Sequence, residues 1–193
     1  MNENLNILFQ QNNGYLTKQL LPNKYLYYQL LKLIKSGVVE KVKRGVYRLC
    51  SYEIEPMIDI DKVIPDGVLC LYSALFHYNL TVQIPHSFNV AIEKNRKITL
   101  PQYPPIQLYY WKQEYYKLGV TTERIYDFTI KIYDIEKSVC DAIKFRNKIG
   151  IDVTSEVLKN YLKREDRNLI KLTDYAKKMR IYNILKIYLE VEL

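Results

Sequence analysis

The 193-residue chain is poor in the residues that several common protein classes need. It has only six glycines and seven prolines, which leaves no room for a collagen-like repeat or a long flexible linker. Its three cysteines, Cys50, Cys70 and Cys140, stand far apart, so we interpret them as small buried side chains in a reducing compartment. No apolar run reaches the ~20 residues of a membrane helix, and no signal-peptide pattern opens the chain. We therefore expect a cytoplasmic protein.

Motifs that carry catalytic chemistry are also scarce. The only two histidines, His77 and His86, are nine residues apart, which is not a zinc-ligand spacing. There is no glycine-rich phosphate loop and no nucleophile elbow. Glu136 and Asp141 lie five apart on an expected helix, which does not bring two carboxylates together. We expect no catalytic residue, no metal and no cofactor; a nucleic-acid enzyme is an alternative that no motif supports.

Lysine and arginine are in excess over the acids, and the excess lies at both ends of the chain. The formal net charge is +8. Residues 1–50 carry eight Lys or Arg against two acids, and residues 159–193 carry nine against five. Basic ends favour a polyanionic partner, because phosphate contacts release counterions. The alternative is an ordinary soluble protein with a high isoelectric point.

Hydrophobic periodicity predicts three helices at the start of the chain. Leu5, Leu8 and Phe9 share one face of the first helix. Thr17 is expected to cap a second, very short helix, and Asn23 to cap a third over residues 24–36.

A hairpin is predicted directly after these helices. Gly37 ends the third helix, and the period then falls to two. Strands over 38–42 and 46–49 flank a turn at 43–45. This order of elements is typical of a winged helix-turn-helix, so we predict a DNA-binding domain over residues 1–50.

The expected DNA contacts lie on the outer face of the third helix, at its approach and on the hairpin. Residues 23–29 would read base edges, and the later cations would hold phosphates. The alternatives are a solvated turn and tyrosines that pack on the rest of the protein. The full expected set is Thr17, Lys18, Asn23, Lys24, Tyr25, Tyr28, Gln29, Lys32, Lys35, Lys41, Lys43, Arg44 and Arg48.

The remainder of the chain predicts a second domain over 65–193, after an acidic connector at 51–64. Its strands and helices indicate a small β-sheet packed by helices, so the predicted class of the whole chain is α+β. The predicted elements are a helix over 68–78, strands over 87–92, 106–111 and 128–133, a helix capped by Asp134, a helix over 154–164 capped by Thr154 or Ser155, and a helix over 168–190.

A second basic cluster falls on the last two predicted helices. It is either one nucleic-acid-binding patch or a solvated helical face. Its members are Lys159, Lys163, Arg164, Arg167, Lys171, Lys177, Lys178 and Arg180.

Three segments resemble one known family, the AbiEi antitoxins of AbiE-type (type IV) toxin–antitoxin and abortive-infection systems. The stretch YLTKQLLPNKYLYYQLLKLIKSGVVEKVKRGVYRL (15–49) is similar to the family's winged helix. The segments GVLCLYSAL (67–75) and YDIEKSVCD (133–141) resemble two motifs of its C-terminal domain. Two departures are Lys137, where an arginine is usual, and Asn79, where a glycine is usual.

The resemblance implies a protein that is not an enzyme and has two tasks. Its winged helix would bind inverted repeats in its own promoter as an autorepressor. Its C-terminal domain would counteract a nucleotidyltransferase-like toxin, with or without a stable complex, as part of phage defence. The alternative is a stand-alone winged-helix transcriptional regulator whose C-terminal domain senses a ligand or dimerises.

Overall fold

The computed structural model describes residues 3–12, 14–51, 60–101, 104–125 and 128–192. The chain divides into two compact units: Met1–Pro65 with Ile98–Tyr103, and Asp66–Lys97 with Pro104–Leu193. Small sheets packed by helices make the fold α+β, which confirms the predicted class. The finer division at residues 50 and 65 stays a prediction, and residues 52–59 of the expected connector lie outside the described residues.

The first unit contains a three-stranded antiparallel sheet in the order β1-β3-β2. Its core combines Leu5, Leu26 and Leu30, which the period-3.6 pattern places on the inner faces of two helices, with strand residues such as Leu16 and Leu49. In chain order the elements are α1 (Glu3–Gln11), β1 (Tyr15–Thr17), a 3₁₀ turn (Lys18–Leu20), α2 (Lys24–Lys35), β2 (Val39–Lys43), β3 (Val46–Leu49) and α3 (Ile60–Val63).

Glycines allow the backbone of this unit to turn at two positions. Gly37 and Gly45 both adopt positive φ, at +70° and +82°, as the expected helix end and hairpin turn require. Thr17 lies at the N-cap position of the short helix, as predicted, but its side chain makes no capping hydrogen bond and the helix is a 3₁₀ turn. Thr17 is also the last residue of β1, a strand that we did not predict. The Tyr15–Thr17 segment pairs with β3, and three residues are too few to show a strand period in sequence.

The second unit is built on a five-stranded mixed sheet in the order β6-β5-β4-β8-β7. Strands β5 and β6 pair in parallel, and β7 and β8 pair antiparallel. In chain order the elements are β4 (Val68–Leu69), α4 (Leu71–His77), β5 (Phe88–Glu93), β6 (Ile106–Trp111), α5 (Gln113–Tyr116), β7 (Val120–Ile125), β8 (Phe128–Tyr133), α6 (Ile135–Lys144), α7 (Arg146–Ile149), α8 (Ile151–Leu162), α9 (Leu169–Lys178) and α10 (Tyr182–Glu192).

The apolar segment 68–78 is not the single helix that we predicted. Its first two residues form β4, which pairs with β5 on one side and β8 on the other, and only Leu71–His77 is helical. A short apolar run in the middle of a sheet has the same composition as a buried helix, so periodicity does not distinguish them. Strand β7 was missed because its polar, charged sequence VTTERI lacks an apolar alternation.

Two predicted helix boundaries were also wrong. Helix α8 begins at Ile151, after Gly150 at φ +100°, so Thr154 lies inside the helix and donates its hydroxyl to Gly150 O at 2.8 Å. The helix expected over 168–190 is two helices separated at Arg180, which adopts φ +58°. The amides of Arg180 and Ile181 donate to Lys177 O and Ala176 O, a Schellman end without its usual glycine.

Candidate nucleic-acid interface

The outer face of α2 is basic and aromatic. Asn23 caps the helix, since its Oδ1 accepts from the Leu26 amide at 2.9 Å. Leu26 and Leu30 are buried in the core. The opposite face carries exposed Lys24, Lys32 and Lys35, and the rings of Tyr25 and Tyr28 are 61% and 62% exposed. Gln29 is half-buried beside them.

A cleft of about 460 Å³ lies at the N-terminal end of α2. It places two cations beside two phenol rings at a helix start, where the backbone dipole also favours an anion. The ammonium of Lys18 lies 5.3 Å from the ring centre of Tyr27. The lining residues are Lys18, Leu21, Asn23, Lys24, Tyr27 and Tyr28.

The β2–β3 hairpin presents further cations. Lys41 and Arg44 are exposed, Arg44 at the turn itself. The ladder shifts by one residue between Lys41 and Lys43, which marks a bulge next to the turn. The side chain of Lys43 lies outside the described part of the chain. Thr17 is half-buried in β1.

Arg48 does not share this exposure. It lies opposite Glu40 in the β2–β3 ladder, and the two side chains form an ion pair at 2.5 Å. The Arg48 side chain is only 11% exposed. Its charge is therefore paired within the hairpin. Sequence patterns could not predict this pair, because the strand register decides which residue lies opposite Arg48.

The second basic cluster is partly neutralised by carboxylates. Arg164 pairs with Asp166, and Lys178 pairs with Asp174. Lys171 lies 3.1 Å from Asp134 and 3.0 Å from Glu136. Arg167 donates to the Arg164 carbonyl, and Lys177 lies over the Tyr182 ring, while Lys163 and Arg180 are exposed. Three of the seven cations after Lys159 are thus neutralised locally, which leaves α2 and the hairpin as the stronger anion-attracting surface.

Sequence reasoning missed a fully buried ion pair in α6. Lys137 and Asp141 lie one turn apart, and both side chains are 0% exposed. The Lys137 ammonium lies 3.9 Å from the ring centre of Tyr133 and 4.4 Å from that of Trp111, so two aromatic faces and one carboxylate surround it. Burial raises the pKa of Asp141 to about 6, while the charge of Lys137 opposes the rise.

The two cysteines next to this pair are buried thiols. Burial raises the pKa of Cys70 and Cys140, so both stay protonated and act as small apolar groups. The prediction was wrong for Cys50, which is exposed.

The histidines take structural positions. His77 ends α4 half-buried, and its Nε2 lies 2.5 Å from Glu123 on β7. Tyr78 donates to the other oxygen of the same carboxylate at 2.7 Å. His86 is exposed. Within the described ranges, no group of three or more His, Cys, Asp or Glu side chains converges as a metal site.

We predict that Gly119→Ala destabilises the protein more than Gly37→Ala. Both glycines have left-handed φ, +67° and +70°. A Cβ at Gly37 would meet nothing within 4 Å, so the substitution costs about 1 kcal/mol of backbone strain. A Cβ at Gly119 would lie 2.6 Å from Lys137 Cβ, which adds about 1–3 kcal/mol of overpacking. Thermal unfolding of both variants measures the difference, and equal losses would contradict the close approach.

The helices of the described ranges include none that is both long and apolar enough to cross a membrane. No protein-family model matches the chain, and no curated protein is significantly similar to it.

Proposed function

We propose that the chain is an AbiEi-like antitoxin that also represses its own promoter through an N-terminal winged helix-turn-helix. The observation that carries the DNA-binding half is the outer surface of α2 with the adjoining hairpin. In this surface Lys24, Lys32, Lys35, Lys41 and Arg44 are exposed, and the acid of the hairpin, Glu40, is paired with Arg48.

The proposed binding mode follows from element order and exposure. Helix α2 would enter the major groove, with Lys24, Tyr25, Tyr28 and Gln29 near base edges. The hairpin would act as the wing, with Lys41 and Arg44 on the backbone or in the minor groove. Arg48 is left out of this contact set because its side chain is buried against Glu40.

The antitoxin half of the proposal rests on the resemblance of two segments. One feature of the fold supports it: residues from both segments lie in a single hydrophobic core. Cys70, Leu71 and Leu75 of the first segment pack in one cluster with Val139 and Cys140 of the second.

The DNA-binding half is tested with the DNA upstream of the chain's own gene. We expect a specific complex in a mobility-shift assay that unrelated competitor DNA does not displace at equal concentration. Gln29→Ala should weaken that complex by about 1–3 kcal/mol and relax the preference at one base pair, as loss of a base contact does. Equal affinity for promoter and unrelated DNA would contradict the repressor role.

The antitoxin half is tested separately by co-expression with the product of the adjacent gene. Growth should stop when that gene is expressed alone and resume when this chain is present. Rescue should persist in the Gln29→Ala variant, because toxin counteraction is assigned to the second unit. If no growth arrest occurs, or if the arrest is not relieved, the antitoxin half of the proposal is contradicted. The repressor half is tested independently by the DNA-binding assay.

A further inference from the structure

The second unit carries an open cleft of about 760 Å³ that the proposed function does not use. Its walls are α4, the loop 81–87 and the first residues of β5 and β6. The volume lies within the range of small-molecule sites, about 300–1,000 Å³. We name it the amide cleft, after the side chains of Asn89 and Gln107. Its lining also includes Tyr72, Val82, Ile84 and Tyr109.

The amide cleft contains polar groups but carries no formal charge of its own. Among the described residues that line it there is no Asp, Glu, Lys or Arg; its polar groups are amides, hydroxyls and the imidazole of His86. A phosphate or carboxylate would find no counter-charge here, and desolvating it would cost free energy. The lining therefore favours a neutral ligand.

One buried acceptor in the cleft wall lacks a donor. Asn89 is only 4% exposed, and its Nδ2 donates to Ser87 O at 3.0 Å. That bond fixes the amide orientation, because the flipped amide would set two acceptors against each other. Asn89 Oδ1 has no hydrogen-bond partner within the described part of the chain. A buried orphan acceptor is costly, and a ligand that supplies an N–H removes the cost.

The sheet places a second amide and a phenol next to this acceptor. Asn89 and Gln107 are register partners in the parallel β5–β6 ladder. Tyr109 follows two residues later on the same face of β6, and its ring packs edge-on against Phe145 at 5.5 Å. Gln107 is exposed, so its amide is free to bond to a ligand edge.

The loop at the mouth of the cleft exposes two aliphatic side chains. Val82 is 82% exposed and Ile84 is 72% exposed. The start of the loop is held in place, since Glu156 accepts from Thr81 Oγ1 at 3.1 Å and from the Val82 amide at 3.0 Å. Large aliphatic groups on a fixed loop beside a cleft can cover the apolar face of a bound molecule.

We propose that the amide cleft binds a neutral, flat nitrogen heterocycle that carries an amine, such as the base of a nucleoside. Its ring would stack with the phenols of Tyr72 and Tyr109, and its amine would donate to Asn89 Oδ1 as the side chains covering that oxygen shift. Gln107 would bond to the neighbouring ring edge. This site is independent of the proposed function, because neither DNA binding nor toxin counteraction requires it.

Nucleosides with and without an amine test the proposal on the wild-type full-length chain. Adenosine and cytidine carry the exocyclic amine, and purine riboside and 2-pyrimidinone riboside have hydrogen in its place and no other N–H on the base. Calorimetric titration should show adenosine or cytidine binding about tenfold more tightly than its partner, because the base of the partner has no N–H to donate to Asn89 Oδ1. No binding at low-millimolar concentration, or equal binding of both members of each pair, would overturn the proposal.

Two variants of β6 locate the bound nucleoside. Gln107→Ala should weaken binding several-fold, while Tyr110→Ala should leave it unchanged. Tyr110 is a matched control because it is 52% exposed and points to the opposite face of the same strand. Equal effects of the two variants would place the ligand elsewhere and would contradict the site.

Discussion

Replacing Lys137 by methionine is expected to destabilise the second unit by about 3–5 kcal/mol, the cost of leaving a buried charge without its partner. Asp141 would then be an unpaired carboxylate with 0% side-chain exposure, one oxygen of which already has no partner within the described residues. The aromatic faces of Trp111 and Tyr133 would accept the thioether well, so lost packing is a small part of the effect. Urea unfolding followed by the fluorescence of Trp111, the single tryptophan, measures the change.

Two controls make this prediction sharp. Lys178→Met breaks a pair of the same i, i+4 spacing whose side chains are 57% and 52% exposed, and we expect a loss within about 0.5 kcal/mol. The double variant Lys137→Met with Asp141→Leu should recover most of the stability, because two apolar groups replace both charges. A double variant as unstable as the single one would mean that packing, not the unpaired charge, determines the loss.

Removing four lysines from the α2 and hairpin surface is expected to weaken DNA binding about hundredfold near physiological salt. Lys24, Lys32, Lys35 and Lys41 are all exposed, so their substitution by alanine should leave the fold intact. If each contacts one phosphate, the slope of log K against log salt should become shallower by about four. Fluorescence-anisotropy titrations at several salt concentrations measure both quantities.

The matched control removes the same charge from the second unit. Lys94, Lys97, Lys112 and Lys117 are also exposed, and their fourfold alanine variant lowers the net charge equally. It should change the salt slope by less than one, since the proposed phosphate contacts of the α2 and hairpin surface would all be kept. If both fourfold variants lost the same affinity, binding would depend on overall charge and the surface on α2 would not be the interface.

Sequence patterns predicted the first unit well because its elements are amphipathic and end in recognisable residues. Asn23 and Gly37 fixed both ends of α2, and the apolar spacing identified Leu26 and Leu30 as core. What sequence missed was set by pairing across the sheet. Arg48 looks like any other wing cation until the register places it opposite Glu40.

The second unit was harder because its signals depend on long-range contacts. Arg180 ends α9 with left-handed φ although it is not glycine, so no residue type marks the break. Burial of Lys137 is also against the residue's ordinary behaviour. One signal was present: Lys137 and Asp141 are four residues apart with Val139 and Cys140 between them, which is the spacing at which opposite charges pair on a helix.

Strand β4 has a consequence for how the large sheet comes apart. It contains only Val68 and Leu69, yet among the described strands it alone joins the β5–β6 ribbon to the β7–β8 ribbon, through two register pairs on one side and one on the other. Each ribbon is held by six register pairs of its own. The sheet is therefore two cooperative blocks joined along a narrow seam. Under native conditions, amide hydrogens of β4 should exchange with solvent as soon as the seam opens, while each ribbon keeps its own protection.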